Sequence, residues 1–131
     1  MNILLFILLR LSVSNASALV ADNLIDAVIH VESRGNINAH NVGENAVGVL
    51  QIRPIMVKEV NRVLGVDKYT LMDRWNKQKS IEMFNVIRYT TPNATNEKVA
   101  RNWNGGPNGY KKKSTLKYWN KVQNQSDNNL Q

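Results

Sequence analysis

One carboxylate in this chain has surroundings suited to acid chemistry. Glu32 directly follows Val31, on the apolar stripe of a helical segment, and lies three residues before Gly35. The C-terminal end of a helix carries partial negative charge, and apolar neighbours strip water from a carboxylate, so both hold the proton on toward neutral pH. An acid still protonated at pH 7 can donate to a leaving oxygen. Between Ser33 and Lys58 the only other acid is Glu44, which sits in a Gly-Glu-Asn turn and reads as a solvated loop glutamate. Gln51, inside an otherwise apolar run, and Asn104, before two glycines, carry amides that can both donate and accept.

Other chemistries find no support. The absence of Cys removes disulfides, thiolate nucleophiles and cysteine-bound metals. His30 and His40 flank Glu32 but lack the His-Glu-x-x-His spacing and an evident third ligand, so no metal site is expected. Gly105 to Ser114 does not match a phosphate-binding loop, because Lys111 follows Tyr110 and not glycine. The formal charge of +7 favours a polyanionic partner, and Lys111-Lys112-Lys113 reads as a solvated basic turn. With basic residues scattered and no recognition helix or stacking motif, nucleic acid is not the expected partner.

The elements that must position these residues are mostly helices. At 131 residues the chain makes one domain. Val20, Leu24, Val28 and Val31, with Ile25 and Ile29 beside them, form one helical stripe, with Asp22 in its first turn and Gly35 as its stop. Gly35 to Gly48 is a polar loop or small β excursion, and the apolar Val47 to Ile52 fits either a buried strand or a short helical turn. Pro54 opens a helix with Val57, Val60 and Leu64 on one face and Gly65 at its end. Further helices are predicted over about 76–89, from an Asn96 cap through Trp103, and over about 114–122 with Leu116, Trp119 and Val122 partly buried. The fold class is therefore mainly α, with at most a small β element.

The ends read differently. An apolar run over residues 3–9, interrupted by Arg10, precedes Ala16-Ser17-Ala18, the order of a secretory signal with an A-x-A cleavage site. The expected organisation is a signal peptide over 1–18, the folded domain over 19–123 and a polar, disordered tail over 124–131. An exported, periplasmic or cell-wall-associated protein follows.

Three segments occur in order: Glu32-Ser33-Arg34-Gly35-Asn36-Ile37-Asn38-Ala39, then Ala46-Val47-Gly48-Val49-Leu50-Gln51-Ile52-Arg53-Pro54, then Trp103-Asn104-Gly105-Gly106-Pro107. In that order and spacing they resemble the motifs of the soluble lytic transglycosylase family, which is similar in outline to goose-type lysozyme. The resemblance spans about 19–122. It implies a lysozyme-like helical domain with a small β element beside its cleft. The activity it implies is cleavage of peptidoglycan between N-acetylmuramic acid and N-acetylglucosamine, leaving an anhydromuramyl end, with no metal or organic cofactor. The implied catalytic residue is Glu32, first acid and then base, while Ser33, Gln51, Trp103 and Asn104 would meet substrate. Ser33 would orient Glu32 or the substrate acetamido group, its alternative being to satisfy backbone at the helix end. The family usually has Tyr where Trp103 stands, and many relatives have Tyr where Phe84 stands, which leaves Tyr110 as a candidate for the missing hydroxyl. Partners implied are peptidoglycan glycan strands and a secretion, conjugation or phage apparatus. Two alternatives stand beside this reading: a muramidase that hydrolyses the same bond with Glu44 or a residue outside the three motifs activating water, and a catalytically lapsed cell-wall-binding module.

Overall fold

The computed structural model describes residues 22–128. Val20 and the leader over 1–18 lie outside the described residues. Helix α1 (Asn23–Ser33) buries Leu24, Ile25, Ala27, Val28 and Ile29, the stripe expected from the periodicity. Asp22 stands just ahead of the helix as its N-cap, where its carboxylate accepts from Ile25 N–H at 3.2 Å and pairs with Arg88. Arg34, with φ 54°, turns the chain out of the helix before Gly35.

The β excursion is a two-stranded antiparallel hairpin, β1 (His40–Asn41) and β2 (Ala46–Val47), with His40 opposite Val47 and Asn41 opposite Ala46. Val47 to Ile52 is neither continuous strand nor helix. Val47 and Ile52 exchange backbone hydrogen bonds at 3.2 and 3.0 Å, closing a tight turn between them. The turn needs left-handed backbone at Gly48 (φ 79°) and Gln51 (φ 49°), and it buries Val49 and Leu50 completely enough to seal the core beneath. Gly48 has no alternative residue, since a Cβ there would stand 2.0 Å from the Arg74 carbonyl oxygen.

Helix α2 (Pro54–Leu64) has Pro54 in its first turn, Gly65 at its C-cap and Val57, Val60 and Leu64 buried, as predicted. A 3-10 turn over Leu71–Trp75, fixed by a Thr70/Asp73 capping box, was not anticipated from sequence. Helix α3 (Lys77–Thr90) starts from an Asn76 cap and buries Ser80, Met83, Phe84 and Val86. Helix α4 (Asn96–Gly105) is capped by Thr95, whose hydroxyl accepts from Lys98 N–H, so the cap lies one residue before the predicted Asn96.

Helix α5 (Leu116–Asn128) corrects two expectations. Its buried residues are Tyr118 and Val122, with Trp119 packed partly against the core, while Leu116 is 41% exposed. The polar segment over 124–128, expected to be disordered, is helical, so the domain does not end at 123. Asn, Gln and Ser are only mildly poor helix formers, and a helix already docked along α1 extends through them at little cost.

These elements make a mainly α, lysozyme-like domain whose core joins α1, the 47–52 turn and helices α2 to α5. Buried Arg101 organises the α4–α5 junction. Its Nε donates to the Thr115 hydroxyl at 2.8 Å and its Nη2 to the Lys112 carbonyl at 3.0 Å. Gly109 presses against the Arg101 carbonyl, where a Cβ would come within 2.1 Å.

Candidate active site

A cleft of about 240 Å³ opens between the end of α1, the hairpin, the start of α2 and the end of α4. Glu32, Glu44, Gln51, Arg53, Trp103 and Asn104 line it. Four of the five residues expected at the site are thus brought together across 73 positions of sequence, and the exception is Ser33.

Glu32 occupies the last turn of α1 and is half-buried. Burial raises its pKa to about 7; the Arg53 cation opposes that rise, the Glu44 charge adds to it, and the Tyr118 hydroxyl lowers it. Desolvation therefore dominates, in the direction that the sequence predicts. A carboxyl in this state divides its population between acid and base near neutrality.

Ser33 points the other way. Its hydroxyl donates to the Val49 carbonyl at 2.8 Å, lies 3.2 Å from the Ile29 carbonyl and accepts from Gly35 N–H at 3.1 Å. It ties the end of α1 to the 47–52 turn and does not line the cleft, so the backbone-satisfying alternative describes its place. The reason is local: a serine at a helix C-terminus finds unpaired carbonyls within reach before any substrate.

Gln51 lines the cleft with its donors already committed. Its Nε2 donates to the Ala39 carbonyl at 3.1 Å and to the Gly48 carbonyl at 3.0 Å, which uses both amide hydrogens. Only its side-chain oxygen remains to face a ligand. Asn104 makes no side-chain hydrogen bond to protein among the described residues, while its backbone carbonyl accepts from Arg53 Nη2 at 3.3 Å across the cleft. Trp103 is 5% exposed and meets the fully buried Phe84 edge-on, with ring centroids 5.0 Å apart. It forms the cleft's floor.

Tyr110 does not supply the hydroxyl. Its ring lies in a neighbouring groove, with the Lys98 ammonium 4.6 Å and the Lys111 ammonium 5.5 Å from its centroid. The hydroxyl near Glu32 belongs to Tyr118, which is buried on α5, makes no hydrogen bond within 3.5 Å among the described residues, and has its pKa raised by burial and by the Glu32 charge. The signal that could have found it was the four-residue spacing from Tyr118 to Val122, which puts a phenol on the buried stripe. The sequence presents Arg53 only as part of a motif, and Glu44 as a solvated turn glutamate or, in the muramidase alternative, as a water-activating base. Both face the cleft.

The polar groups of the cleft can thus supply an acid of pKa near 7, a phenol, a cation and a second carboxylate. His40 packs edge-on against Trp75, and no group of three or more His, Cys, Asp or Glu side chains gathers among the described residues. A larger groove of about 860 Å³ runs on from the cleft, sharing Met56 and Gly106 with it.

The family model of the transglycosylase SLT domain matches residues 14–126. No curated protein and no solved structure matches the chain. The matched span takes in the hairpin, every residue of the cleft and all but the last two residues of the helix that brings Tyr118 near Glu32. The chain belongs to the transglycosylase SLT domain family, lysozyme-like domains with a lytic-transglycosylase type of activity on peptidoglycan.

Proposed function

We propose that this chain cleaves the bond between N-acetylmuramic acid and N-acetylglucosamine and leaves an anhydromuramyl end, with Glu32 as acid and then base. The observation that carries the reading is the half-buried Glu32 carboxyl, held at a pKa near 7 in the cleft that also contains Gln51, Trp103 and Asn104. A protonated Glu32 gives its proton to the glycosidic oxygen as the bond to C1 breaks, while the substrate's own acetamido oxygen meets the developing positive charge. The resulting carboxylate takes the proton of the muramyl primary hydroxyl, whose oxygen closes on C1. Glu32 ends the cycle protonated, and one carboxyl serves both steps.

Each neighbour has a part in this scheme. The Tyr118 hydroxyl near Glu32 favours its carboxylate form, steadying it between the two steps. The Gln51 side-chain oxygen accepts from a sugar hydroxyl or amide, and the Asn104 amide meets the sugar from the opposite wall. The adjoining groove gives the rest of a glycan strand a place to lie. A lapsed wall-binding module was suggested by the loss of hydroxyls at Trp103 and Phe84. Tyr118 supplies a hydroxyl near the acid, which favours the active reading over that one.

The leader read over residues 1–18 supports export to the periplasm or cell wall, where the domain would open the wall locally for a secretion, conjugation or phage apparatus. Mass spectrometry of muropeptides released from purified sacculi tests the activity. Anhydromuramyl ends, lost in Glu32→Gln, are expected, and release without any anhydro end overturns the transglycosylase reading.

A further inference from the structure

Glu44 is the second carboxylate of the cleft, and the scheme above makes no use of it. The hairpin that carries it is firmly held. Its own N–H donates to Asn41 Oδ1 at 3.2 Å. The next residue, Asn45, has φ 51°, and its backbone and side-chain oxygens accept from Arg74 Nη1 at 2.9 and 3.2 Å. The same nitrogen reaches the Ile52 carbonyl at 3.1 Å, locking the hairpin to the 47–52 turn. Arg74 itself is 6% exposed, so a buried cation fixes the backbone of a turn whose glutamate faces the cleft.

Glu32 and Glu44 differ in the way that two-carboxylate glycoside hydrolysis requires. Glu32, from the helical wall, is desolvated and holds a proton; Glu44, from the hairpin wall, is open to solvent. Inverting cleavage with water uses an acid at the leaving oxygen and a second carboxylate that activates water on the opposite face of the sugar. A one-carboxyl transglycosylation has no need of the second group.

We propose that Glu44 is a further catalytic residue, which activates water toward the anomeric carbon so that the chain hydrolyses a share of the bonds it cleaves. The inference rests on the reading of Glu32 as the acid. In this branch Glu32 protonates the leaving oxygen as the C1–O bond breaks. Glu44 takes one proton from a water whose oxygen forms the new bond to C1. The products are a free 4-hydroxyl and a reducing muramyl end, with one water added. The proton gained by Glu44 leaves to solvent and Glu32 regains one from solvent, which restores both groups. Water and the muramyl primary hydroxyl therefore compete for the same carbon, and the ratio of reducing to anhydro ends reports the competition.

Digestion of purified sacculi by the full chain in ¹⁸O-water, followed by mass spectrometry, measures that ratio. Wild type is expected to release both anhydro ends and reducing ends carrying ¹⁸O, and Glu44→Gln to lower the reducing-to-anhydro ratio by about tenfold or more. Glu44→Asp should fall between them. Because the ratio is internal to each digest, it does not depend on how much of a variant is folded. Exclusively anhydro ends from wild type, or an unchanged ratio in Glu44→Gln, overturn the role of Glu44 and leave the Glu32 reading standing. Absence of all cleavage by wild type removes both together.

Discussion

Two walls of the cleft are each organised by a buried arginine, and they solve the problem of a buried charge differently. On the hairpin side Arg74 has no carboxylate partner among the described residues. It donates to the carbonyls of Leu71, Asn45 and Ile52 and to the Asn45 side chain, and its burial lowers its pKa. On the helical side Arg101 has Glu97 at 3.5 Å, and it shares the work of bonding with Thr115, whose hydroxyl lies 2.8 Å from both the Gly109 and Lys112 carbonyls. The first wall is irregular chain that one buried cation braces together with Ser33 and Gln51; the second is the end of one helix and the start of the next, tied by Arg101 and Thr115. In the wall that carries Glu44 and Gln51, Arg74 thus gathers the largest share of backbone carbonyls on one side chain, whereas in the wall that brings Tyr118 near Glu32 the ties are divided between Arg101 and Thr115.

The sharpest test of that contrast removes each arginine. Arg74→Ala strands several carbonyls at once and should cost about 4 kcal/mol of folding stability, against roughly 1–2 for Arg101→Ala, where Thr115 keeps its remaining bonds. Arg74→Lys should recover little, because an ammonium cannot span the same forked set of acceptors. Urea denaturation of the three variants measures the order, and equal losses at the two arginines would break the comparison.

Next in size is the effect of Glu32→Gln, expected to lower glycan cleavage by about a hundredfold or more. Its effect on folding has the opposite sign. The pKa of Glu32 is raised in the folded protein from 4.5 to about 7, so the stability linked to its proton is fully present below about pH 4.5 and is lost as pH rises through 7. Glu32→Gln should therefore be more stable than wild type above pH 7, by about 1–3 kcal/mol, and gain nothing near pH 4. Thermal melts at pH 4 and pH 8 check the sign.

Gln51→Ala comes third. It removes two hydrogen bonds from the turn that Arg74 also braces, which should cost about 1–2 kcal/mol before any effect on substrate is counted. A stability close to wild type with turnover lost would make Gln51 chiefly a ligand contact. The smallest effects are shifts of the alkaline limb of the pH–rate profile, where Glu32 loses its proton. Tyr118→Phe and Arg53→Ala each remove an influence that lowers the Glu32 pKa, so both should move that limb upward. Glu44→Gln removes one that raises it and should move the limb downward.

What could be read from the sequence follows the range of the interaction concerned. Helices α1 and α2 were legible because their buried residues repeat on one helical face and their stops are at Arg34-Gly35 and Gly65. Glu32 was legible as an acid because its burial follows from that same face. The Asn96 cap was misplaced by one residue because Thr95 and Asn96 are both good caps, and only the backbone decides between them. Ser33 and Gln51 were harder, since their side chains spend their hydrogen bonds on carbonyls that a tertiary fold brings near. Tyr118 lies 86 positions from Glu32, and nothing local to either announces their meeting. Glu44 reads as a solvated turn by type and is indeed exposed; what the sequence hides is the direction in which the hairpin faces.

Helix α5 has a consequence for where the chain can be trimmed. A cut after Gln123, the end suggested by composition, would leave Val122 in a terminal turn, and terminal turns fray. Tyr118 would then sit about one turn from the loose end. Limited proteolysis of the intact protein should therefore spare the peptide bonds from 123 to 126, and a chain shortened to 123 should become cleavable back toward Tyr118. A run of asparagines and glutamines that need never touch a sugar would thus act as the clamp that keeps a phenol beside the acid.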